Sequence, residues 1–67
     1  MPKQNKIKLC VSSSGKAGYL YLPTLIDERV VSRNVKLHEL LEDFKGPEVI
    51  FDFDKDNNLI GIEVLLD

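Results

Sequence analysis

The stretch EVIFDFDKDNNLIGIEVL, residues 48 to 65, constrains the fold of this chain more than any other. Val49, Phe51 and Phe53 recur at every second position, with Ile50, Asp52 and Asp54 between them. Ile60, Ile62 and Val64 then alternate with Leu59, Gly61, Glu63 and Leu65. A period of two marks a strand that buries one face. The run KDNN between the two halves is rich in turn formers. The segment therefore reads as an antiparallel hairpin, and the rest of the chain must extend that sheet or cover it.

The same stretch admits a second reading. Asp52, Asp54, Asp56 and Glu63 stand at positions 1, 3, 5 and 12 of a calcium loop, with apolar Leu59 at position 8. Position 6, where such loops turn on glycine, is Asn57. The flanks should be helical, yet they alternate like strands. Hairpin pairing would bring Glu63 opposite residue 49 or 50, some 20 Å along the strand from the tip at about 3.3 Å per residue. We expect no metal site. A calcium or small-ligand site using Asp52, Asp54 and Asp56 is the alternative.

Upstream, Ile7, Leu9 and Val11 alternate with Lys8, Cys10 and Ser12, which predicts another half-buried strand. SSSGKAG is a turn cluster, and GYLYLP a second short strand ended by Pro23. There Leu20 and Leu22 share one face and Tyr19 and Tyr21 the other. RVVSRNV, with its β-branched valines, is a candidate third strand. Leu37, Leu40, Leu41 and Phe44 then follow the i, i+3, i+4, i+7 spacing of an amphipathic helix of about two and a half turns. Asn34 is its candidate N-cap, and Gly46 and Pro47 its stop. Glu42 and Asp43 lie at the unfavourable, negative end of that helix. Such a helix persists only if its leucine stripe packs on the sheet. An antiparallel sheet with one helix leaves the other face open, here the tyrosine face, and we expect Tyr19 and Tyr21 to form an interface there.

The chain has 67 residues, 43% of them hydrophobic and 30% charged. That is one domain, 1–67, with residues 1–5 frayed, and its core is thin enough for self-association to help. A net charge of -2 gives no electrostatic footprint for nucleic acid. A single cysteine excludes an internal disulfide and fits a reduced, cytoplasmic setting. No apolar run is long enough for a membrane helix or a signal segment. SSSGK lacks the spacing of a phosphate-binding loop. His38 is the only histidine and has no cysteine or second histidine beside it to share a metal. We expect no catalytic residues and no cofactor.

GYLYL, the valine-rich middle and IFDFDKDNNLIGIEVL resemble the small bacterial and phage family called domain of unknown function 2283 (DUF2283). Leu20, Tyr21 and Leu22 match a first motif, and Asp52, Asp54, Gly61, Ile62 and Glu63 match a second. The similarity spans about residues 15 to 66. Gly18 stands where the family has an aspartate, and Asn57 or Asn58 where it has a turn glycine. The segment 34–47 is longer than the usual middle. The resemblance implies no activity, and the position of some members beside toxin-like genes implies antitoxin or partner-binding roles.

The expectation is therefore an α+β domain: a mainly antiparallel sheet of four to five strands with one short amphipathic helix packed on one face. It would act as a non-enzymatic protein-interaction or oligomerisation module, antitoxin-like, with itself or another protein as partner and no nucleic acid or membrane. Strand addition at a sheet edge is the mechanism that the sequence suggests. Gly61 would admit a close neighbour, for which an aromatic of the 49–53 strand is a candidate. Glu63 would pair with a cross-strand Lys or Arg.

Overall fold

A computed structural model describes residues 6–23 and 30–66. They form one five-stranded sheet and one short helix. The strands are β1 (Lys8–Val11), β2 (Ala17–Tyr21), β3 (Arg33–Lys36), β4 (Glu48–Phe53) and β5 (Leu59–Leu65), with helix α1 (Leu37–Leu40) between β3 and β4. All pairings are antiparallel, and the order across the sheet is β1-β2-β5-β4-β3. The hairpin β4–β5 thus lies inside the sheet, flanked by β2 and β3. Of the candidate third strand 29–35, Arg33–Val35 falls in β3, which runs on to Lys36. Residues 24–29 lie outside the described residues.

The turns follow local chemistry. Between β1 and β2 the Ser12 hydroxyl accepts from Ala17 N at 3.1 Å, and Gly15 takes a φ of 76° that an L side chain resists. Between β4 and β5 Asn57 takes a φ of 68°. Asparagine tolerates that left-handed region, so Asn57 does here what a turn glycine does elsewhere. Across this hairpin Ile50 lies opposite Glu63, as the alternation predicts. The register slips once, because Asp52 pairs with Gly61 but Phe53 pairs with Leu59. Ile60 falls in the gap, and its carbonyl accepts from Leu22 N at 3.0 Å.

The helix differs from its expectation. It has a single turn, Leu37–Leu40, capped by Lys36, while Asn34 sits inside β3 opposite Asp52. Lys36 N donates to Glu39 Oε1 at 3.1 Å, half of a capping box. The backbone leaves helical angles at Leu41 (φ -127°, ψ 89°), well before Gly46 and Pro47. The stripe packs only in part: Leu37 and Phe44 are half-buried, and the residues between them are not. Leu40 and Leu41 are 62% and 54% exposed. A nucleus of a few residues with Glu42 and Asp43 at its negative end does not propagate without such contacts.

The outcome is a slab one sheet thick, with extents of 40 × 28 × 15 Å. Its core is correspondingly small. Among the described residues, Ile60 is the one hydrophobic side chain that is fully buried, at 1% exposure.

Candidate functional site

Directly opposed residues of antiparallel strands share a face, so the register sorts the side chains. One row across all five strands reads Leu9, Leu20, Ile62, Phe51, Val35. The next reads Val11, Gly18, Val64, Val49. Neither contains a polar side chain. This face collects Leu20 and Ile62 of the two motifs, and by alternation Leu22, beyond the end of β2, lies on the same side. Leu9 and Val11 are exposed at 63% and 58%, and the interior positions of both rows are half-buried. At one end, Val11, Gly18, Val64 and Leu66, with Lys16 and its neighbours Gly15 and Ala17, line a shallow depression of about 190 Å³. It opens where Gly18 contributes no side chain. At the β3 corner, Arg33 lies over the Phe53 ring, 4.6 Å from its centroid, and donates to Asn57 Oδ1 at 2.6 Å.

The opposite face is built differently. One row there reads Lys8, Tyr21, Gly61, Asp52, Asn34, and the next Cys10, Tyr19, Glu63, Ile50, Lys36. Tyr19 leans diagonally across β5, and its hydroxyl donates to Asp52 Oδ2 at 2.8 Å. The ring passes directly over Gly61. A Cβ built there would run into the Tyr19 hydroxyl and ring carbons. Gly61 thus does admit a close aromatic neighbour, but from β2 on the far side of β5 and not from the 49–53 strand. Tyr21 meets Tyr19 edge to face, with centroids 4.6 Å apart and planes at 72°. Asp52, though polar, is only 6% exposed. Tyr19 supplies a donor that such a group needs.

Asp54 is the organiser of the turn. Its Oδ1 accepts from the backbone N–H groups of Asp56 and Asn58, each at 2.9 Å, and its Oδ2 accepts from Asn58 Nδ2 at 3.1 Å. These donors, the Asn58 backbone first, hold its pKa below the ordinary aspartate value of 3.8. The three aspartates do not converge. Asp52 faces Tyr19, Asp54 points into its own turn, and Asp56 is exposed at the tip. Among the described residues, no cluster of three His, Cys, Asp or Glu side chains has the geometry to hold a metal ion. The directly opposed neighbours of Glu63 are Tyr19 and Ile50, so neither is the Lys or Arg expected there.

The remaining candidates lie apart. His38 is exposed on α1, its ring 5.1 Å from that of Phe44. Cys10 is an exposed thiol opposite Tyr19 on the edge strand β1. No described helix is long and apolar enough to cross a membrane.

The second motif thus decodes as a folding device. Asp52 and Gly61 receive Tyr19, Asp54 closes the turn, and Ile62 stands at the centre of the apolar row. These features define a small antiparallel β module built around one internal hairpin. The chain belongs to the family described as protein of unknown function (DUF2283), whose sequence model matches residues 15–66. The match takes in β2 to β5 and leaves β1 outside. Neither the curated proteins nor the solved structures provide a match to this chain.

Proposed function

We propose that this chain is a non-enzymatic interaction module, of the antitoxin-like kind that works by binding a protein, and that its working surface is the aliphatic face of the sheet. One observation carries the reading: the described residues form a single sheet that presents two apolar rows, with no second layer among them packed over Leu9 and Val11. A sheet is hydrophobic on one face so that it can bury that face against something else. A large exposed apolar patch on a soluble domain marks an interaction site. The tyrosine face fits this role less well, because Tyr19 is engaged with Asp52 and sits over Gly61. A single cysteine, Cys10, fits action in a reduced, cytoplasmic setting.

The test is mass by light scattering on a sizing column, with calcium and with chelator, together with binding of a dye that reports apolar surface. The reading expects either a mass above 7.6 kDa in both buffers or a monomer that binds the dye strongly. A monomer that binds no dye would mean that the chain covers its own face. A mass that changes with calcium would instead favour a ligand site at Asp52, Asp54 and Asp56.

A further inference from the structure

We infer that β1 is a detachable strand, and that the β2 edge beneath it docks an extended segment of a partner protein whose apolar side chains take the positions of Leu9 and Val11. This edge site goes beyond the aliphatic face and does not depend on it. Three observations point to β1. The first is how little holds it. Both β1 and β3 are four-residue edge strands. All of β1 is exposed, its apolar residues Leu9 and Val11 at 63% and 58%. In β3, by contrast, Val35 is half-buried, Arg33 lies over the Phe53 ring and bonds Asn57, and the strand runs directly into α1. Burial stabilises in proportion to the apolar area removed from water. The strand that buries least opens at the lowest free energy. The family match divides the sheet at the same place, because it begins at residue 15, past β1.

The second observation is the layout of the β2 backbone. Ser12 N donates to Ala17 O at 2.8 Å, whereas Leu66 N donates to Lys16 O at 2.7 Å and Leu22 N to Ile60 O at 3.0 Å. In antiparallel ladders, bonded and non-bonded pairs alternate along each strand. The register therefore turns the N–H and C=O groups of Tyr19 and Tyr21 towards β1, and those of Gly18 and Leu20 towards β5. When β1 leaves, β2 keeps its ladder to β5 and presents a row of donors and acceptors on its outer side. Such a row is the template on which an extended peptide adds as a strand. The bond from the Tyr19 hydroxyl to Asp52 reaches towards β4 and does not involve β1.

The third observation is the fit of the resident strand. Leu9 stands opposite Leu20, and Val11 opposite Gly18. Around that second pair lies the depression of about 190 Å³, lined also by Lys16, Val64 and Leu66. Valine opposite glycine thus leaves space that a longer apolar side chain fills. The segment that fits this edge best is extended, apolar at the two alternate positions, and bulkier than valine at the second. β1 has the right pattern and an incomplete fit, so a better-filling strand displaces it.

The experiment is native-state hydrogen exchange on the full chain, followed by titration with labelled peptides. The probe peptide spans residues 6–12 with Cys10→Ser. A second peptide adds Val11→Leu, and a control carries Cys10→Pro instead, which removes the N–H that faces Tyr19. After correction for intrinsic rates, the amides of Tyr19 and Tyr21 should exchange at least about tenfold faster than those of Gly18 and Leu20. Cys10→Pro in the full chain should speed Tyr19 and Tyr21 further, leave Leu20 unchanged and raise capture of the probe. The Val11→Leu peptide should bind roughly fourfold more tightly than the probe, for one more buried methylene. Bound peptide should slow Tyr19 and Tyr21 again. If Cys10→Pro fails to fold, the contrast between alternate amides in wild type and the peptide series still decide. Equal protection along β2 would show that β1 opens only with the whole chain, and would overturn the detachable strand. Fast exchange at Tyr19 and Tyr21 with no peptide bound, or a proline control that binds as well as the probe, would overturn the docking edge. A mass of twice 7.6 kDa that the peptide abolishes would give the edge to β1 of a second copy and overturn a separate partner.

Discussion

The two faces of this sheet are made by the same strands and stabilised in opposite ways. On the tyrosine face, three neighbouring strands contribute one part each to a single arrangement. β2 supplies Tyr19, β5 the gap at Gly61 and β4 the carboxylate of Asp52. The arrangement is complete within one chain. On the aliphatic face, every strand contributes an apolar residue to the same row, and among the described residues no second layer is stacked over Leu9 and Val11. Directional interactions can be satisfied in a single layer, because one hydroxyl and one carboxylate suffice. Hydrophobic burial cannot, because it scales with the area removed from water and needs a second surface. Register is thus specified within the chain by directional contacts, whereas the apolar face of the described residues stays half-buried.

The largest effect expected of a single change on the tyrosine face is at Gly61. Alanine there is compatible with the strand backbone, yet its Cβ would collide with the Tyr19 ring. The ring must swing out and release Asp52, at a cost of about 2 kcal/mol. Chemical denaturation of Gly61→Ala, alone and in a Tyr19→Leu background, isolates the cause. The penalty should shrink sharply once Tyr19 is gone. An equal penalty in both backgrounds would show that Gly61 is needed for some other reason. Tyr19→Phe is the milder break, keeping the ring and removing the donor from a carboxylate that is 6% exposed. It should cost about 1–2 kcal/mol, and a loss too small to measure in a urea titration would show that water replaces the hydroxyl fully.

This face also marks where the sequence stopped being legible. Alternation assigned Leu9, Leu20, Ile62 and Phe51 to their faces, because period two is a local property of each strand. The β4–β5 register was readable for a similar reason, since a short loop leaves few ways to align two alternating strands. The Tyr19–Asp52 contact was not readable, because it depends on which strand lies on the other side of β5. Strand order is a long-range choice that no local pattern encodes. The glycine within IGIEV signalled that something approaches closely, but not from where. The helix failed in the opposite direction. Its spacing at Leu37, Leu40, Leu41 and Phe44 was correct for a longer element, and spacing carries no information on whether a surface is there to receive it.

A finer comparison of the faces uses neighbours on one strand. Leu9 and Cys10 are adjacent on β1, both exposed, and point to opposite faces. Leu9→Ser should destabilise by about 1 kcal/mol per chain if a partner completes the burial of the leucine. Cys10→Ser should stay within about 0.5 kcal/mol of wild type, as surface substitutions do. Equal, small effects at both positions would indicate that the aliphatic face is bare in solution.

The smallest effect concerns the turn that joins the two central strands, and it appears only in acid. The Asn58 and Asp56 backbone N–H groups and the Asn58 amide stabilise the carboxylate of Asp54 and hold its pKa below the ordinary 3.8. A group whose pKa is lower in the folded state contributes stability at pH above its unfolded value, and loses it as pH falls through the folded one. Thermal melts should therefore show an Asp54-dependent decline beginning near pH 4 and continuing below it. Asp54→Asn keeps an acceptor for the turn but cannot titrate, so its melting temperature should fall less steeply over the same window. The same pair of proteins tests the calcium alternative at neutral pH. Calcium should leave both midpoints unchanged, because Asp54 already accepts three N–H donors from its own turn. A shift seen in wild type and absent in Asp54→Asn would mean that a cation displaces those donors, and the turn would then be a binding loop as well as a hinge between strands.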